Sequence, residues 1–306
     1  MQAEAASPQL GWNLVHDVRE VLEYHFMVNA LLAGTAVALI AGLVGWVMVV
    51  RRQVFAGHTL AMMAFPGASS AALLGVPGAC GYAVWCGAGA GAISLSSPAT
   101  RSWGERSAGT GAVQSLALAA GFLFVSLYGG VLADLESVLF GNVLGVSDSQ
   151  LLVLSLVAAA LLLALAVLAR PLLFASLDPE VAAARGVPVR GLSLAFLALL
   201  AVTVAATSQI TGVLLVFSLL VAPPAAAQAL TARPALSLAL SVALALLITW
   251  LGLAVSYFSI YPAGFFIATI SFACYLLARL LAIVRARPAA ARARSRRPQA
   301  QQAQGA

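Results

Sequence analysis

Residues 151–169 read LLVLSLVAAALLLALAVLA, a run with no charged residue in it. A helix of about 20 such residues crosses the hydrocarbon core of a bilayer. Comparable apolar runs fall near 27–50, 58–76, 79–97, 111–132, 190–207, 211–230, 235–256 and 262–284. In lipid every backbone N–H and C=O must be satisfied within the protein, so only helices and closed barrels span it. Barrel strands would alternate apolar and polar residues in short segments, and these runs do not alternate. The expectation is an all-α, polytopic membrane helix bundle. Very short links join the segments within 58–97 and within 190–230, so one member of each pair can be re-entrant or broken. Eight to nine spans are expected. Charged residues make up 8% of the chain, far below the roughly 25% of a soluble domain.

The few charges are unevenly placed. If the chain after Arg51 and Arg52 starts on the cytoplasmic side and every segment crosses, the inner connections hold every arginine except Arg19. The outer segments hold seven of the ten acids, and the inner ones hold Glu105, Asp178 and Glu180. Cytoplasmic loops carry the excess of basic residues. Arg51 and Arg52 therefore read as cytoplasmic anchors, with the N-terminus outside and the C-terminus inside.

Composition also excludes chemistry. All sixteen basic residues are arginine. Without lysine there is no phosphate-binding loop of the usual kind and no Schiff base. No catalytic residue is expected, and any ATP hydrolysis must come from a partner. Cys80, Cys86 and Cys274 lie in apolar runs and read as small packing residues. Gly34, Gly42 and Gly45 in the first run, and Gly87, Gly89 and Gly91 in the third, suit close helix approach.

The two ends of the chain read differently. Residues 1–26 carry Glu4, Asp17, Glu20 and Glu23 against Arg19, the wrong charge for a signal peptide. They are expected to form an outer interfacial segment with a short helix. Residues 285–306 are rich in Arg, Ala, Pro and Gln and are expected to form a disordered, basic cytoplasmic tail. Anionic lipid headgroups suit that tail better than nucleic acid, because no aromatic residues are interleaved. Residues 27–284 form the transmembrane domain.

One inner connection, LDPEVAAARGVPVR at 177–190, has helix punctuation of its own. Asp178 is an N-cap, Pro179 suits the first helical position and Glu180 complements the helix N-terminus. Arg185 ends the turn, Gly186 can take a left-handed cap and Pro188 forbids continuation. A helix of seven residues, roughly 10 Å long, is unstable alone and must pack on its bundle or on a partner.

Short intracellular helices of this kind are what ABC-transporter permeases insert into an ATPase subunit, and here a resemblance emerges. FMVNALLAG, GLVGWVMVVRRQVFAGHTL, LFGNVLGVS, DPEVAAARGVPV, TGVLLVFSLLVAPPAAAQ and YPAGFFIA, in this order from Phe26 to Leu281, resemble the metal-ion permeases of bacterial ABC importers, which move zinc, manganese or iron. The resemblance implies a fold related to the vitamin B12-type importer permeases. It further implies a second permease copy or paralogue, ATP-binding cassette subunits and an extracytoplasmic metal-binding protein. The cargo would be a transported divalent metal, with no permanently bound cofactor.

The departures from the family bear on cargo. Where the family has aspartate and, four residues on, histidine, a pair implicated in passing the metal, this chain has His58 and Met62. The family's FGD becomes FGN at Asn142, and a histidine of the next span appears as Gln114. Positions i and i+4 share a helix face, so His58 and Met62 can face one cavity. No Asp or Glu lies inside any drawn span. Imidazole and thioether suit zinc or softer ions, whereas manganese prefers carboxylate oxygen. His58 reads either as a cargo ligand or as an interfacial helix cap. The alternatives are an ABC permease for a non-metal cargo and, against it, a secondary transporter, which would be expected to keep acids near the midplane. HTLAM lacks the HExxH pattern of a zinc protease.

Overall fold

The computed structural model describes residues 23–96, 103–128, 141, 143–259 and 261–303. Among these, every regular element is helical. In chain order they are α1 (His25–Val50), α2 (Val54–Leu74), α3 (Gly78–Ser96), α4 (Trp103–Tyr128), a 3-10 turn (Val143–Gly145), α5 (Asp148–Leu177), α6 (Pro179–Ala184), α7 (Val189–Thr211), α8 (Val213–Leu230), α9 (Pro234–Tyr257) and α10 (Ala263–Ala303). Each of the nine apolar segments coincides with one long helix. The N-terminal interfacial helix, apart from its last residues, lies outside the described residues, as do Asn142 and two of the acids expected on the outer side, Asp134 and Glu136.

Six of these helices, α1, α4, α5, α7, α9 and α10, are long and apolar enough to cross a membrane. The remaining three are α2, α3 and α8. They belong to the two pairs whose short links left eight to nine spans open. Serine, threonine, glycine and histidine dilute α2, which can carry them because much of it is buried, and glycine and serine dilute α3. Helix α2 packs between α3 and α4 and also touches α7 and α8. A polar side chain facing protein is spared the cost it would meet in lipid. Helix α8 carries Pro223 and Pro224, each removing a backbone donor.

Close approach is built on glycine. Gly45 of α1 lies against the Leu220 carbonyl of α8, where a Cβ would collide with backbone, and Gly42 meets the Cα of Val242 in α9. Gly67 and Gly81 bring α2 and α3 into backbone contact. The third run is mixed: Gly89 packs on Met63, whereas nothing approaches Gly87 or Gly91.

The chain alternates between two ends of the bundle. His25, opening α1, bonds Asp148, opening α5. Arg51, closing α1, bonds the last turns of α5 and the first turns of α7. Helix α10 continues to Ala303, across residues expected to be disordered; alanine and arginine are both strong helix formers.

Candidate functional site

The α1–α2 corner turns within three residues. Arg51 caps α1, Arg52 takes the left-handed conformation at φ 56°, and Gln53 leads into α2. Among the described residues Arg52 is the single non-glycine at positive φ. That conformation is costly for a side-chain-bearing residue and is held by its surroundings.

Above this corner lies a cavity of about 960 Å³, lined among others by Arg51, Arg52, His58, Arg190, Ser193 and Phe217. Its positive charges come from α1, the corner and α7, and none of the lining residues is a carboxylate. His58 sits one turn into α2, half-buried, with its ring 4.6 Å from that of Phe217 in α8. Its Nδ1 is buried without a protein partner.

The sequence-predicted residues divide. His58 lines the cavity; Met62 does not, and packs instead against the apolar core. Four residues further along the helix is about 6 Å deeper at 1.5 Å per residue, and the cavity's α2 lining stops at His58. Gln114 of α4 accepts a hydrogen bond from Thr59, the residue after His58, at 3.2 Å. It therefore touches α2 without lining the cavity. Asn142 lies outside the described residues, but its neighbour Gly141 has φ 72° and presses on the Thr211–Gly212 backbone that joins α7 to α8. Among the described residues no three His, Cys, Asp or Glu side chains gather as a metal site.

Helix α6 is built as its sequence dictates, one residue shorter than expected. The Asp178 side chain accepts from the Val181 amide at 3.0 Å, with Pro179 in the first turn and Glu180 beside it. Arg185 caps the other end, and Gly186, at φ 80°, closes a left-handed turn with Val187 N–H donating to Ala182. The Arg185 guanidinium lies over Phe174 at 5.9 Å. Ala182 is buried against the bundle, while Leu177 and Val181 are 81% and 42% exposed. Val181 on α6 and Leu177, the last residue of α5 just before it, thus expose apolar surface beside the charged Glu180, a contact surface.

Sequence reasoning missed the partners of Arg51. It donates to the Leu172 carbonyl at 3.4 Å and the Ser176 hydroxyl at 3.1 Å in α5, and to the Ser193 hydroxyl at 2.9 Å in α7. It also lies 5.5 Å from the Phe196 ring centre. Ser176 lies in the last turn of α5 and Ser193 in the first turns of α7, and nothing in the sequence pointed to either.

Known proteins agree with this layout. The sequence pattern of the ABC 3 transport family matches residues 23–282. The chain is 30% identical to the manganese transport system membrane protein MntC of Halalkalibacterium halodurans, over 72% of this chain and 75% of that protein. It is 28% identical to a probable iron transport system membrane protein of Haemophilus influenzae, over 88% and 98%. Among solved structures it resembles PsaBC from Streptococcus pneumoniae in complex with Fab, with a TM-score of 0.76 and 26% identity over 87% of this chain and 95% of that one.

Proposed function

The chain belongs to the ABC 3 transport family, the metal-ion ABC transporter permeases, and on that premise we propose that it is the membrane-spanning subunit of an importer for a divalent metal, zinc above others. Transport would proceed by alternating access powered by separate ATPase subunits. The observation that carries this reading is α6, capped at both ends, with Val181 and Glu180 exposed and set between α5 and α7. Such a helix has a docking surface and no catalytic group.

On this reading all nine long helices cross, the Arg51 end faces the cytoplasm and the Asp148 end receives a loaded binding protein. The helical alternation fits an N-terminus outside and a C-terminus inside. A second copy of the permease, or a paralogue, completes the pathway, and the arginine-rich tail meets lipid headgroups. Zinc is favoured by His58 on the cavity wall and by a lining without carboxylate, a poor match for a hard ion. A second reading, manganese, has support from the names of the relatives.

The test is the double variant Asp178→Ala with Gly186→Pro, which removes both caps. It should stay in the membrane, lose stimulation of the ATPase partner and lose uptake. Normal stimulation would overturn the docking assignment.

A further inference from the structure

We infer that Arg51 is a positioning residue that carries movement of α6 into the cavity holding His58, an inference that rests on the docking role proposed for α6. Helix α6 has two flanks, the end of α5 and the start of α7. Arg51 grips both: one terminal nitrogen reaches Ser176 and the Leu172 carbonyl, the other reaches Ser193. Phe196, one turn beyond Ser193, stacks beneath the guanidinium. Ser176 is itself held by donating to the Leu172 carbonyl, so the hydroxyl and the carbonyl are presented as one unit.

Arg51 is also where α1 ends and the corner into α2 begins, and it lines the cavity. Arg52 follows at φ 56°, and His58 comes one turn into the helix that the corner starts. A push on α6 therefore has two outcomes. Either Arg51 drags the corner and the first turn of α2, or it releases two hydroxyls and a carbonyl. Hydrogen bonds from a charged donor are the stronger kind, and here they are part-buried. The corner moves with α6.

A cytoplasmic anchor alone would not need this arrangement. Charge suffices for an anchor, and Arg52 next door is exposed. Lysine keeps the charge but is a point donor on a flexible stem, without the fork that spans two helices. Arg51→Lys thus separates the anchor from the clamp.

Two readouts test this in the full complex with its ATPase and binding protein. The first is cargo moved per ATP, for the parent, Arg51→Lys, Ser176→Ala with Ser193→Ala, and Arg233→Lys, an exposed arginine before α9 that lies off the cavity. Arg51→Lys and the serine pair should lose about tenfold in cargo per ATP, within the usual span of coupling between sites, while hydrolysis continues. Arg233→Lys should match the parent. Parent-like cargo per ATP in Arg51→Lys overturns the clamp, as does a parallel fall of uptake and hydrolysis, the mark of plain structural damage. The second readout needs no cargo: spin labels at Ala183 on α6 and Phe55 on the cavity rim. Nucleotide trapping should move both labels in the parent and only the Ala183 label in Arg51→Lys. A Phe55 label that still responds in Arg51→Lys overturns the inference even if the cargo assignment is wrong. An Ala183 label unmoved by trapping in the parent would instead strike at the docking role of α6.

Discussion

The two ends of the bundle are held by different physics. At the Arg51 end, helices are tied through buried or part-buried bonds: Arg51 to α5 and α7, the Trp46 indole to Ser237 at 3.0 Å, Gln228 to the Trp46 carbonyl at 3.4 Å, and Ser241 to the Gly42 carbonyl at 2.8 Å. Glycines at 42 and 45 let the backbones touch there. At the opposite end, the ties between α1 and α5 run from His25 to Asp148 at 3.0 Å and from Asn29 to Asp148 at 2.6 Å. His25 and Asp148 are 77% and 75% exposed. Water competes for an exposed pair, whereas a buried donor that loses its partner is left unsatisfied. At the second end only the His25 bond is exposed enough to part at little cost, while buried Asn29 stays tied to Asp148 and to the Val146 carbonyl.

That contrast can be broken in order of expected effect. Gly45→Leu should be the most damaging, because its Cβ would strike the Leu220 carbonyl and backbone cannot give way as a flexible side chain does. Overpacking in a tight core costs about 1–3 kcal/mol and occasionally more. The expected result is loss of the monodisperse peak in size-exclusion chromatography. Trp46→Phe comes next: it removes the donor to buried Ser237 and should cost about 1 kcal/mol, read as a lowered melting temperature in detergent. Asp178→Ala removes the N-cap bond to Val181, worth about 1 kcal/mol of local helix stability. Its effect should appear in ATPase affinity rather than in global melting, because among the described residues α6 packs mainly on its flanking helices α5 and α7. His25→Ala should be the smallest, with an unchanged melting temperature. A large drop there would erase the difference between the ends.

Much of this fold was legible because its largest energies act on single residues. An uninterrupted apolar run declares its solvent directly, so the nine helical segments could be read off. Helix α6 was legible for a related reason: caps are local chemistry, and Asp178, Pro179 and Gly186 carry it within ten residues. What escaped were tertiary relations. The i, i+4 rule put His58 and Met62 on one face but could not tell how deep the cavity reaches along α2. Ser176 and Ser193 looked like ordinary helix residues until the fold set them on either side of one guanidinium. Helix α2 falls short as a lipid-facing span because burial inside the bundle, invisible in hydropathy, lets its polar residues stay.

The central claim is a permease that passes a borderline cation by way of His58. Its most direct test is uptake of radioactive zinc and manganese into vesicles holding the complete complex, comparing parent with His58→Ala and Met62→Leu. The account predicts zinc uptake above manganese in the parent, a marked fall in His58→Ala and parent-like uptake in Met62→Leu, whose side chain lies off the cavity. Manganese preferred over zinc, or equal uptake by parent and His58→Ala, would contradict it.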